Sequence, residues 1–225
     1  MATPDGSAHF TYGWMRRFGE AARSNEPQLT ALDQQVGDGD FGVNLRAGVD
    51  AARPRWDRLP DAGSDPSAPL LATAEAFLDE VGGTSGPLFG LLLQSLATAI
   101  ARSGLTTAAL AEGFAAGLAA IQRVGDAQPG DKTLVDALAP ATDTLRRTAP
   151  ATPPAEALAV AAESAWDGVA ATARLRARMG RSSYLGERTE GIPDPGAVGV
   201  ALLLSCAQTQ SPDLGARLDA IRSTA

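Results

Sequence analysis

LDQQVGDGDFGVN, residues 32–44, places three aspartates, Asp33, Asp38 and Asp40, within eight positions. One glycine separates Asp38 from Asp40 and another precedes the pair, so the backbone can turn tightly and gather all three carboxylates. Left to themselves, three neighbouring carboxylates repel and raise one another's pKa, an arrangement that makes sense around a divalent cation. Ligands that are all oxygen point to a hard ion, Mg²⁺ or Ca²⁺. A calcium loop of the EF-hand type fails on spacing. Counting from Asp38, the fifth position is Gly42 and the twelfth is Val49, where that loop needs an oxygen ligand and a glutamate. Mg²⁺ with phosphates completing its shell fits better. The simpler alternative, an Asp-rich turn capping a helix that opens near Asp40, stays open on the aspartates alone.

Outward from this stretch, helical periodicity recurs and no sustained period-2 alternation is found, so an all-α chain is expected. Phe10, Trp14, Phe18 and Ala21 mark one face of a first helix running to about Asn25. A second runs from about Asp40 to Arg53, stopped by Pro54. Others are expected over about 70–81, from Pro87 to about Arg102, over 106–124 and over 133–147. A long seventh ends near Met179, and an eighth begins around Gly196. Ser211 and Pro212 read as an N-cap and first position of a short terminal helix.

The glycine-rich polar segments fall on alternate connections of that map. They are the aspartate stretch, VGGTSGP (81–87), GDAQPGDKT (125–133) and GRSSYLGERTEGIPDPG (180–196). If successive helices run antiparallel, all four converge on one end of the bundle, and the helices that follow aim their positive N-termini at a shared site. Helix N-termini, glycine-rich backbone and a carboxylate-bound metal together make a phosphate-binding arrangement. Thr84 and Ser85 add hydroxyl donors, although no Gly-Lys-Ser/Thr follows as a Walker loop requires. Asp131 can cap the next helix, Lys132 can be merely solvated, and Leu134 can meet an apolar ligand face. Arg181 and Arg188 can neutralise phosphate, and Asp194 can accept from a ribose hydroxyl.

Composition narrows the function classes. Hydrophobic residues make up 44% but aromatics only 5%, so Ala, Leu and Val must build the core of what is expected to be one domain, 1–225. A net charge of −7 and a pI near 4.7 argue against nucleic acid or an anionic membrane as partner. No apolar run approaches membrane-spanning length. A single cysteine, Cys206, precludes an internal disulfide and makes a reducing cytoplasm the expected location. The single histidine, His9, is read as preceding the first helix and exposed, which nearly excludes histidine-based triads and His-rich zinc sites.

Four motifs together, LDQQVGDGDFGVN, GGTSGPLFG, PGDKTLVDALAP and GRSSYLGERTEGIPDPGA, resemble the nucleotide-binding L subunit of bacterial dihydroxyacetone kinases, the DAK2 domain. They occur in the family's order across nearly the whole chain. The resemblance implies an antiparallel, up-and-down eight-helix barrel with ADP or ATP at its rim. It implies that Asp33, Asp38 and Asp40 hold two Mg²⁺ ions against the nucleotide phosphates. The implied nucleotide contacts are Phe41, Gly42, Val43, Asn44, Thr84, Ser85, Gly125, Leu134, Arg181, Asp194, Pro195 and Gly196. Phe41 stands where the family usually has histidine, so any phosphate contact there must come from backbone N–H. The implied activity is phosphoryl transfer to dihydroxyacetone or a related short ketose held by a separate K-type subunit. The donor is ATP itself, or an M-type phosphotransfer-system subunit that regenerates ATP from bound ADP. Two alternatives remain: a nucleotide-sensing module that controls a regulator, and a self-contained kinase for another small alcohol.

Overall fold

Ala, Leu and Val at helical spacing build ten α-helices in the computed structural model, which describes residues 6–59, 65–180, 183–184, 189–210 and 212–224. They are α1 (Gly6–Ser24), α2 (Glu26–Val36), α3 (Phe41–Trp56), α4 (Ala68–Glu80), α5 (Ser85–Ser103), α6 (Thr107–Gly125), α7 (Val135–Arg147), α8 (Pro154–Ala173), α9 (Pro195–Ser205) and α10 (Leu214–Thr224). The described residues contain no strand, and none of their helices is long and apolar enough to cross a membrane.

From α2 to α9 each helix packs against the next, and α9 also touches α1, α2 and α3. Helix α1 is tied to the end of that run by polar contacts as well. Trp14 Nε1 in α1 donates to the Leu203 carbonyl at 2.7 Å, and Arg17 Nε to the Cys206 carbonyl at 2.8 Å. Helix α9, the apolar PGAVGVALLLS, is buried along its length, as an element with no polar face must be. Small residues let helices close up: a Cβ on Gly168 of α8 would lie 2.3 Å from the Asp136 carbonyl of α7. The few aromatics are pooled, with the rings of Phe18, Phe41 and Phe77 all within 6.5 Å of Phe89. Cys206 is buried, as expected.

Several boundaries differ from the sequence expectation. Helix α2 was not anticipated. The chain bends at Asn25 and starts again with Pro27 in the first turn, so Asp33 lies on a helix rather than in a loop. His9 sits within α1 and is exposed. Pro54 does not stop α3, which runs one turn further to Trp56. Helix α5 begins at Ser85, with Pro87 in a first turn whose amides have no intrahelical acceptor to lose. Helix α8 ends at Ala173, not Met179, because the chain beyond it pairs with 189–191. Gly191 N donates to Ala173 O at 2.7 Å, and Ala177 N to Thr189 Oγ1 at 3.3 Å. Ser211 lies outside the described residues. Asp213 caps α10, its Oδ1 accepting from Ala216 N at 3.1 Å.

Candidate functional site

The three aspartates are brought together by the end of one helix and the start of another. Asp33 lies in the last turn of α2, and Asp38 and Asp40 in the bend before α3. One carboxylate oxygen from each lies within 4.8 Å of the other two. Asp33 is buried and its Oδ2 accepts the Phe41 amide at 3.0 Å, which fixes its rotamer and ties the two helices. Asp38 and Asp40 are exposed. Asp40 occupies the N-cap position of α3 but makes no side-chain capping bond, so capping does not account for its carboxylate. The glycines are required by space. A Cβ on Gly37 would lie 2.3 Å from Asp33 Oδ1, and Gly39 has a φ of +78°, the left-handed region that glycine tolerates. Three oxygens so close, from flexible and fixed carboxylates together, suit a divalent hard cation.

Beside this cluster a cleft lined by Gly83, Thr84, Ser85, Asp194 and Gly196 opens, and it merges with a second cleft that shares Phe41, Thr84, Ser85 and Gly196. The result is one groove with two chemically different ends. Carboxylates line one end, while Leu88, Ile121, Leu134, Val135 and Met179 line the other. The N-terminal turns of α3, α5, α7 and α9 all reach it, so their positive ends face the same space. The four glycine-rich segments therefore do meet. An elongated molecule with an anionic, metal-binding end and a flat apolar end is the complement of this groove.

Its walls are held by specific contacts. Asp136 Oδ1 accepts from Gly130 N at 2.5 Å and its Oδ2 from Thr133 N at 2.8 Å, folding the 130–133 turn onto α7. Asp131 accepts from Gln128 N at 2.8 Å, so it closes a turn rather than capping α7. Lys132 is not solvated, as the sequence allowed, but buried, with Nζ donating to Thr172 O and Ile192 O, each at 2.6 Å. Burial lowers the Lys132 pKa. Asp194 caps α9 by accepting from Ala197 N at 2.7 Å, and its own amide donates to Thr172 Oγ1 at 2.9 Å. Burial pushes the Asp194 carboxyl up to about 7, against the opposing pull of the Ala197 amide and the Lys132 ammonium.

Of the residues singled out from sequence, Asp33, Asp38, Asp40, Phe41, Thr84, Ser85, Gly125, Leu134, Asp194, Pro195 and Gly196 line the groove. Gly42 does not: it is buried where α3 crosses α2, and a Cβ there would lie 2.4 Å from Thr30 Oγ1. Val43 is exposed, and Asn44 is not among the lining residues, although its Nδ2 would lie 3.6 Å from a Cβ on Gly83. The Phe41 ring turns into the core against Phe89, and its amide is already taken by Asp33. Arg181 and Arg188 lie outside the described residues. Sequence reasoning missed Leu88, Ile121 and Met179, whose apolar spacing is that of any core position. It also missed Asp136, although Thr133-Leu-Val-Asp136 is a capping-box pattern that was there to be seen.

The DAK2 domain family matches residues 35–209, and the chain belongs to that family. The chain is 35% identical over 193 residues to the ADP-binding subunit DhaL of the PEP-dependent dihydroxyacetone kinase of Escherichia coli, covering 85% of this chain and 91% of that one. It is 38% identical over 195 residues to the L-erythrulose 1-kinase of Mycolicibacterium smegmatis, covering 84% of this chain but only 33% of that larger protein. Among solved structures it resembles the dihydroxyacetone kinase of C. freundii, with a TM-score of 0.63 and 23% identity, over 92% of this chain and 36% of that one. The same enzyme in complex with AMP-PNP and Mg²⁺ gives a TM-score of 0.61. These structural likenesses establish a shared helical fold.

Proposed function

We propose that the chain binds an adenine nucleotide with Mg²⁺ in this groove and serves as the nucleotide-carrying part of a kinase for a short ketose. The observation that carries the reading is the juxtaposition of the Asp33, Asp38 and Asp40 oxygens, within 4.8 Å of one another, with an apolar slot at the far end of the same groove. Asp33, Asp38 and Asp40 would hold two Mg²⁺ ions, which neutralise phosphate charge and orient the transferring group. Thr84, Ser85 and the amides at the helix N-termini hold phosphate oxygens, Leu134 and its apolar neighbours hold the base, and Asp194 accepts from the ribose. Arg181 supplies a further cation. No protein nucleophile is needed, since phosphoryl transfer depends on positioning and charge.

The names of the relatives support kinase chemistry. The 38% identity to an erythrulose kinase widens the acceptor from dihydroxyacetone to three- and four-carbon ketoses. The PEP-dependence in the name of the Escherichia coli subunit favours an M-type phosphotransfer partner that recharges bound ADP; a cytoplasmic location is part of the same proposal. On this reading the groove's described lining is taken up by metal and nucleotide, which leaves no place in it for the acceptor. A K-type partner therefore supplies the acceptor. The test is product formation from Mg·ATP with dihydroxyacetone or erythrulose, with and without a K-type subunit at matched ATP. Turnover only with the partner supports the reading. Robust turnover by the chain alone would replace it with a self-contained kinase.

A further inference from the structure

Lys132 is the only lysine in the sequence, and every other basic side chain apart from the lone His9 is an arginine. It is 2% exposed, and its backbone has a φ of 62°, a left-handed conformation that a residue with a side chain adopts at a cost. Its ammonium reaches two backbone carbonyls at 2.6 Å: Thr172 O, in the last turn of α8, and Ile192 O, two residues before Asp194. A buried ammonium hydrogen-bonded to carbonyls, with the charges of Asp194, Glu190 and Asp136 acting on it from nearby, is an expensive arrangement for a side chain with no task in the groove. Two strong charge-assisted bonds here converge on one nitrogen, a geometry that a compact –NH₃⁺ satisfies and a planar guanidinium does not. The segment so clamped runs straight into Asp194, Pro195 and Gly196, and a Cβ on Gly196 would already lie 3.2 Å from Leu134 Cβ. Lys132 is also the one cation among the described residues lining a groove with four aspartates along it.

We propose that Lys132 is a positioning residue of the groove, clamping 189–193 to the end of α8 so that the N-terminus of α9 is set at the distance from Leu134 that a bound nucleoside diphosphate requires. The proposal rests on the nucleotide reading above. Thr172 completes the clamp from the other side, taking the Asp194 amide on its hydroxyl while its carbonyl takes the Lys132 ammonium. A loss at Lys132 therefore frees one defined stretch of chain, and the remaining helices keep their own contacts.

The experiment measures Mg·ADP affinity by titration calorimetry, and amide hydrogen exchange, in wild type, Lys132→Met and Lys132→Arg, well below the melting temperature of each. Wild-type binding must be seen first, and its absence would remove the nucleotide reading and this proposal together. With wild-type binding present, Lys132→Met is expected to bind Mg·ADP roughly tenfold or more weakly. Faster exchange should be confined to the amides of Gly191, Ile192, Asp194 and Gly196. Lys132→Arg keeps the charge but not the convergent geometry, and is expected to be weakened about threefold or more. If Lys132→Met does not fold, the arginine variant decides. Wild-type affinity in the folded variants, or exchange accelerated uniformly along the chain, would overturn the proposal.

Discussion

Asp33 is buried and holds the Phe41 amide, while Asp38 and Asp40 are exposed, so the three carboxylates differ in what their removal costs. Asp38→Ala or Asp40→Ala should abolish Mg²⁺-dependent ADP binding with the fold intact, measured by calorimetry alongside circular dichroism. Unchanged Mg·ADP affinity in both would sink the metal assignment. Asp33→Ala should in addition lower stability by about 1–3 kcal/mol, because it leaves a buried amide without its acceptor. A denaturation midpoint equal to that of Asp38→Ala would count against that structural role. Asp194 has a different signature. Its carboxyl goes from 3.8 to about 7 on folding, with burial the main cause. Between those values the folded protein holds a proton that the unfolded chain releases, so this group's contribution to stability falls as pH rises and levels off above about 7. Asp194→Asn keeps the capping oxygen but not the titration. In metal-free protein its melting temperature should gain on wild type from about pH 4 to about pH 7 and hold that gain above it, and a pH-independent difference would contradict the assignment.

At the scale of elements, the glycines that let helices approach are as informative as the polar loops. Gly168→Ala drives a methyl into the Asp136 carbonyl, backbone against backbone, and should destabilise by about 1–3 kcal/mol while displacing the 130–133 turn that Asp136 holds. Urea unfolding measures the first effect; a variant as stable as wild type would mean that α7 and α8 can separate freely. Most helices were legible because a chain so rich in Ala, Leu and Val shows its periodicity plainly. Helix α2 was not. Only Asn25 separates it from α1, and the residue that breaks its apolar face is the buried carboxylate of Asp33. The end of α8 was misjudged because Arg174–Met179 has helical propensity, which the pairing of Ala173 and Ala177 with 189–191 overrides. The polar half of the groove was legible from glycines and aspartates out of place in helices. The apolar half was legible only at Leu134, since Leu88, Ile121 and Met179 look like core residues until four loops bring them to one slot.

At the scale of the whole molecule, the chain carries a net charge of −7, and its groove adds aspartates at the end where a polyphosphate would lie. On the proposed reading, those carboxylates would repel the phosphates of ADP without a divalent cation and would hold them with one. The fold supplies the remainder: four helix N-termini around an apolar slot, with α9 in contact with α1, α2 and α3. Nucleotide binding should therefore depend on metal in an all-or-none way. A ligand that binds only the native state stabilises it by RT ln(1 + [L]/Kd), about 2.7 kcal/mol at 100-fold excess over Kd. The most direct measurement is the thermal unfolding of wild-type protein with ADP, in the presence of Mg²⁺ and in the presence of chelator. The melting temperature should rise by several degrees with Mg·ADP and stay at the ligand-free value when ADP is added with EDTA. An equal rise in both would contradict a groove in which Asp33, Asp38 and Asp40 bind nucleotide through metal.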